Sequence, residues 1–344
     1  MCGRCRSWGL RPGHTSRRRA LVALLAAVLA ATIAAGLAFG RSTPATIGNG
    51  VVVIETNLAY QNGAAAGTGI VLTGGGRVLT NNHVIRGATT LKIVVPGTGR
   101  SYSARVVGYD VSDDVAVIQA NGASNLRTLS LDTSTPAVGQ AVTALGNAGG
   151  TGTIVRAEGR VTGLNRSIQV SDDQGGVERL TGLIETNASL QPGDSGGPLL
   201  TQSGKVIGID TAASTANGSG PYAAVSNDGY AIPIRKAKAI ATQIKAGASS
   251  ATVHIGATAF LGVEVESTDG NDMIAAVVPG GPADSAGLAP GDVIMAVGGH
   301  SVSSPTALTS LLFSKKPGDR ITITYDRDGT TETTTVTLGS GPPQ

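Results

Sequence analysis

The chain has 344 residues, 41% hydrophobic and 14% charged, with a formal net charge of +3. That length accommodates two domains with separate cores. Residues 1–19 hold six arginines and no acid, so the remainder is close to neutral, which excludes a basic nucleic-acid-binding surface.

The first segment, residues 1–19, is a basic tail that contains both cysteines, Cys2 and Cys5. The body therefore has no thiol for a disulfide, a cysteine nucleophile or a cysteine-bound metal. The pair spells CxxC without a second pair, which leaves an unstructured cytoplasmic tail, with lipidation as the alternative. Residues 20–40, ALVALLAAVLAATIAAGLAFG, carry no charge. As a helix this run is about 30 Å long, one hydrocarbon thickness. Arg17, Arg18 and Arg19 precede it, which orients a transmembrane helix with its N-terminus in the cytoplasm and the body outside. A cleaved signal peptide, cut near Ala34-Ala35-Gly36, and a twin-arginine signal are the alternatives. All three export the body, to which residues 41–50 form a linker.

From residue 51 to 247 short β-like runs are cut by glycine: VVVIE, GIVLT, RVLTN, LKIVV, ARVVGY, VAVIQA, AVTALG, KVIGID and YAIPI. Fifty glycines and 3% aromatic residues suit such a loop-rich, mainly β chain. The spacing predicts a sandwich or barrel. KAKAIATQIKAG, residues 236–247, has helical spacing, with Ala239, Ile240 and Ile244 on one side, and closes this domain. A small-residue linker at 248–256 leads to a second domain at 257–341. Its strands surround FLGVEV, MIAAVV, DVIMAV and ITITYD, with a proline-started helix at 305–314 and a DRDG hairpin turn at 326–329. No Walker A sequence occurs, and neither cofactor nor metal is expected.

Chemistry concentrates at QPGDSGGPLL, residues 191–200. A nucleophilic Ser195 needs a base, usually histidine. Of the four histidines, His14 precedes the apolar run, while His254 and His300 fall in the linker and the second domain. Only His83, in RVLTNNHVI, belongs to the first domain, at a strand end. The base in turn needs a carboxylate to orient it. Asp172 and Asp173 lie in a polar loop and Asp194 adjoins the serine. Asp114 opens the apolar strand VAVIQA at the edge of a core, with Asp113 as its main rival; Asp110 and Asp113 suit turn capping better. PGDSGGPL also satisfies G-x-S-x-G, but an α/β-hydrolase needs the histidine after the serine in the chain. The order His, Asp, Ser excludes it.

TNNHV, DDVAV and PGDSGGPL, in that order, resemble the chymotrypsin-like serine proteases. GTGIVL, ALGNAGGTGTIVRAEGRVTGLNR, LIETNASLQPGDSGGPLL, GKVIGID and GYAIPI place the resemblance in the HtrA (Deg) branch, over residues 51–235. It implies a mainly β fold, a double six-stranded β-barrel with the site in its cleft. It also implies a role for each residue: Ser195 attacks the peptide carbonyl, His83 moves the proton, Asp114 orients His83, and the amides of Gly193 and Ser195 form the oxyanion hole. By the same resemblance Leu190 and the strand holding Ile209 and Thr211 line the substrate side-chain pocket. Ser189 stands where a trypsin-like acid would be, so small aliphatic side chains are expected there.

FLGVEV, VVPGGPADSAGLAPGDVIMAVGG and PTALTSLLFS resemble a protease-attached PDZ domain. That implies binding of peptides with apolar C-termini by strand addition, at the amides of Leu261, Gly262 and Val263 and a groove near Leu308 and Leu312. The two leucines serve equally well as core. The whole is identified as an exported, ATP-independent serine endopeptidase of unfolded, damaged or regulatory envelope proteins, anchored in the cytoplasmic membrane through residues 20–40, and the family implies a homotrimer. The alternative is a PDZ-containing binding protein or chaperone with little proteolysis. One residue departs from the family: most HtrA-like proteases carry asparagine where Asp194 stands. Local hydrogen bonding of Asp194 to the oxyanion turn is expected, and Asp194→Asn is expected to retain activity.

Overall fold

The computed structural model describes residues 49–171, 177–214, 223–224, 229–268 and 271–344. The basic tail, the apolar run at 20–40, Cys2, Cys5, His14, Asp172 and Asp173 lie outside the described residues. Among the described residues no helix is long and apolar enough to cross a membrane.

Six strands make the first barrel: β1 (Val51–Leu58), β2 (Gly63–Val71), β3 (Arg77–Thr80), β4 (Thr90–Val94), β5 (Ser101–Asp110) and β6 (Val115–Ala120). They run in the order β5-β4-β1-β2-β3-β6, and pairing of β5 with β6 closes the sheet. A four-residue helix, α1 (Asn82–Ile85), follows β3. The second barrel uses β7 (Ala141–Gly146), β8 (Val155–Ser171), β9 (Val177–Thr186), β10 (Pro198–Thr201), β11 (Val206–Ser214), β12 (Ala223–Ala224) and β13 (Gly229–Pro233). Here the order is β10-β7-β8-β9-β13-β11, closed by β10 on β11, with β12 beside β11.

Strand side chains alternate between faces. On β1, Val52 and Ile54 fill the first barrel, while Val51 and Val53 join Leu145, Ile209 and Ile232 in the core shared with the second. Both faces of the strand are buried, which is why VVVI reads as an unbroken apolar run. Helix α2 (Ile234–Lys245) seals this core with Ile234, Ala237, Ile240 and Ile244. Ala237 takes the inward place that the sequence assigned to Ala239, which is exposed, because the helix starts two residues earlier and its buried stripe runs from Ile234.

The predicted linker is partly strand. Val253–Ile255 (β14) pairs antiparallel with β5 at Asp110, Tyr109 and Gly108, extending the first barrel. The second domain follows with β15 (Thr258–Phe260), β16 (Val263–Thr268), β17 (Asn271–Val277), helix α3 (Pro282–Ser285), β18 (Val293–Val297), β19 (His300–Ser301), helix α4 (Pro305–Phe313), β20 (Arg320–Arg327), β21 (Thr330–Thr337) and β22 (Gly339–Gly341). Its main sheet runs β16-β17-β18-β20-β21, so β16 is an edge strand. Helix α4 starts at Pro305, and the Ser304 hydroxyl accepts from the Ala307 amide at 3.1 Å, satisfying one of the free donors of a helix start.

The second domain sits against the first barrel. Tyr60 stacks on Phe260 at 5.3 Å, and Tyr109 meets His254 at 5.1 Å and Phe313 edge-on at 6.1 Å. β22 pairs with β15, and the chain then reaches α1: Gly87 N–H donates to the Pro343 carbonyl at 2.8 Å and Asn82 Nδ2 to the main-chain oxygen of Gln344 at 2.9 Å.

Candidate active site

Two elements of the first barrel bring His83 and Asp114 together. β3 ends at Thr80, and α1 starts so soon after that His83 faces the cleft within the first turn. A helix start leaves amide donors unpaired. Asp114 supplies an acceptor from the turn that leads into β6: its Oδ1 takes the His83 main-chain N–H at 2.9 Å and its Oδ2 lies 2.8 Å from His83 Nδ1. One carboxylate thus caps the helix and fixes the imidazole. Asp114 is 2% exposed and adopts a left-handed backbone, φ 52°, which aspartate tolerates better than most residues. Asn81 holds it there, donating from Nδ2 to the Asp114 carbonyl at 2.9 Å.

The other candidates have different partners. Asp113 pairs with Lys236 Nζ at 2.7 Å, both side chains being 31% exposed. Asp110 Oδ1 accepts from Ser112 and Asp113 in the turn. His254 sits between the carbonyls of Phe313 and Ala257, far in function from any nucleophile.

Ser195 comes from the loop between β9 and β10 of the second barrel, and first-barrel residues grip that loop. Thr68 N–H donates to the Ser195 carbonyl at 2.8 Å. The Thr68 hydroxyl donates to the Gly193 carbonyl at 2.7 Å and accepts from Asn147 N–H at 2.9 Å. Gly193 has φ 98°, and a Cβ there would stand 2.2 Å from the Asn147 carbonyl oxygen, so only glycine fits. Among the described residues the amides of Gly193 and Ser195 donate to no protein acceptor. An oxyanion needs such a free, preorganised pair. The Ser195 hydroxyl donates to the Thr211 carbonyl at 3.3 Å.

Thr211, predicted in a substrate pocket, is fully buried, and its hydroxyl donates to Asp114 Oδ2 at 2.5 Å. Asp114 therefore holds His83 and Thr211 through the same oxygen. Ile209 is 0% exposed in the shared core, and Leu190 is half-buried over Gly229. Of the three, only Leu190 keeps accessible surface. Sequence reasoning missed Thr68, Asn81 and Thr211 as supports. A threonine in a strand looks like any β-former.

In the second domain, Leu261, Leu308 and Leu312 are buried together in one core. The carbonyls of Leu261 and Gly262 accept from Ala283 and Val278 at 2.9 Å, while their amides donate to no protein acceptor among the described residues. Val263 begins edge strand β16. No group of side chains suited to hold a metal ion occurs among the described residues.

Comparison with known proteins agrees with both halves of this description. Residues 67–209 match the model of the trypsin-like peptidase domain and residues 259–338 that of the PDZ domain. Serine protease PepD of Mycobacterium tuberculosis is 34% identical over 307 residues, covering 84% of this chain and 63% of that protein. A probable periplasmic serine endoprotease DegP-like of Halomonas elongata is 34% identical over 283 residues, covering 80% and 56%. Protease Do-like 1, chloroplastic, of Arabidopsis thaliana is 32% identical over 330 residues, covering 89% and 72%. The chain spans less than two thirds of the length of the first two of these relatives.

Proposed function

The chain belongs to the HtrA/Deg family of serine proteases with a trypsin-like domain and one PDZ domain, and from that premise we propose that it is a serine endopeptidase acting through Ser195, His83 and Asp114. The observation that carries the reading is the double use of Asp114, whose carboxylate fixes both the backbone and the ring of His83. His83 Nδ1–H donates to that carboxylate, which leaves Nε2 as the base. Ser195 Oγ loses its proton to Nε2 as it bonds to the substrate carbonyl carbon. The new oxyanion meets the amides of Gly193 and Ser195; losing one such donor costs about 10²- to 10³-fold in rate. His83 then returns the proton to the leaving amine, and water repeats the sequence on the acyl-enzyme.

In this reading Leu190 forms the accessible wall for a small aliphatic substrate side chain, backed by the strand of Ile209 and Thr211. The second domain takes an extended peptide with an apolar C-terminus along β16, its carboxylate on the amides of Leu261, Gly262 and Val263, beside Leu308 and Leu312. Unfolded, damaged or regulatory envelope proteins are the substrates. A DegP-like relative is named as periplasmic, which supports a site outside the cytoplasmic membrane. The uncharged run at 20–40 supports a single-pass anchor, or secretion after signal cleavage, and the family resemblance supports a homotrimer.

Fluorophosphonate labelling of the full chain tests this. Wild type is expected to label and to cleave an unfolded protein, and Ser195→Ala to do neither. A wild type that neither labels nor cleaves, with or without a peptide bearing an apolar C-terminus, would sink the protease reading in favour of a binding protein.

A further inference from the structure

Strand β11 places a second aspartate behind the Ser195 turn. Asp210 is 0% exposed, and neither carboxylate oxygen meets a hydrogen-bond donor among the described residues. Its main chain is bound into the turn on both sides. Asp210 N–H donates to the Gly197 carbonyl at 2.8 Å, and its carbonyl accepts from Gly196 N–H at 2.8 Å. Gly197 N–H in turn donates to the Asp194 carbonyl at 2.9 Å, so the two aspartates bracket the short loop that carries Ser195.

Asp194 is 5% exposed, and its Oδ2 accepts from Gln191 N–H at 2.9 Å. Its Oδ1 lies over Gly146, where a Cβ would be 2.4 Å away. The strand end is thus left bare for this carboxylate. Burial pushes Asp194 up to about 6. Burial, and then the charge of Asp194, push Asp210 well above the usual carboxylate range. Two carboxyl groups sharing a buried site do not both ionise readily.

We propose that Asp210 is a positioning residue of the oxyanion turn, protonated and donating its hydrogen to Asp194, so that the pair carries one negative charge and clamps residues 193–197 with the Gly193 and Ser195 amides free. The proposal rests on the serine-protease reading of Ser195. Loss of the shared proton leaves two buried anions on either side of the loop, and their repulsion opens the turn.

The charged and titratable groups on the surrounding elements have partners of their own among the described residues. Arg156 and Glu158 on β8 line the 270 Å³ cavity that Asp194 borders, and they pair with each other at 3.3 Å. Tyr230 on β13 directs its hydroxyl to Glu185 of β9 at 3.4 Å. Asp114 and His83 lie beyond Thr211 and hold one another. Among the described residues the charged group acting on Asp210 is Asp194.

The test compares the full chain with Asp210→Asn and Asp194→Asn, following kcat/KM against pH, each normalised to its own maximum. Asparagine keeps a donor at every pH and cannot create a second anion. The acid limb is expected to stay in place. The alkaline limb of both variants is expected to move up by about one pH unit or more. Thermal melting gives a second reading independent of activity. A carboxyl whose folded pKa is raised contributes stability that is present at low pH and lost as pH rises toward that pKa. The melting temperature of Asp210→Asn relative to wild type is therefore expected to climb from pH 5 upward. An alkaline limb that stays at the wild-type position overturns the proposal, and so does a melting difference independent of pH. Should wild type fail to label with fluorophosphonate at every pH, the protease reading falls, while the melting comparison still decides the carboxyl pair.

Discussion

At the scale of single residues, the choice between Asp113 and Asp114 turns on one bond that sequence does not display. Both sit at the start of the VAVIQA strand, but the left-handed backbone at 114 turns that side chain inward to α1, while 113 faces Lys236. Replacement of each separately gives a sharp contrast. Asp114→Asn forces the wrong tautomer on His83 and is expected to lower kcat by about 10⁴-fold. Asp113→Asn removes a half-exposed ion pair, worth about 0–1 kcal/mol, and is expected to leave kcat within about threefold. Steady-state kinetics on one peptide substrate separates the two. His83 and Ser195 were legible because only one histidine falls in the domain and Ser195 stands in the segment PGDSGGPL. Thr68, Asn81 and Thr211 were not, since their roles depend on partners 33 to 125 residues distant.

At the scale of elements, most strands follow from apolar runs punctuated by glycine, and the proline-led helix α4 and the two-residue turn at Asp328-Gly329 follow from local chemistry. β14 could not be read in that way. VHI is three residues long, and it becomes a strand because β5 offers an unpaired edge, a property of the assembled barrel. The strand also carries His254 into the aromatic group of Tyr109 and Phe313, which joins the two domains. An aromatic pair is worth about 0.5–1.5 kcal/mol beyond its buried area. Phe313→Ala is therefore expected to loosen the PDZ domain from the first barrel and to speed limited proteolysis near residues 248–258. Unchanged cleavage there would show that the group does not hold the interface.

At the scale of the whole molecule, the site is a product of two barrels meeting. His83 and Asp114 belong to the first and Ser195 to the second, and Thr68 crosses between them. The core that joins the barrels contains Ile209, which the resemblance assigns to the specificity pocket but which has no exposed surface. Ile209→Ala is expected to destabilise the protein by about 2–5 kcal/mol through the cavity it leaves. Denaturant unfolding measures that loss, and the substrate side-chain preference is expected to stay as in wild type. A changed preference at full stability would return Ile209 to the pocket.

The sequence by itself determined the family and the β character, and it singled out Ser195 and His83 as the candidate nucleophile and base, because each is encoded in short local patterns or in elimination among few candidates. Tertiary structure alone decided which groups bond to Asp114 and to its rival Asp113, which residues hold the Ser195 turn, and that Asp210 lies behind it without a donor among the described residues. Those facts depend on which side of a strand faces a neighbouring element and on what that neighbour leaves unpaired, and no spacing along the chain records either. The DSGG turn of residues 194–197 is local, but the buried site behind it exists only where β11 and the turn close on one another.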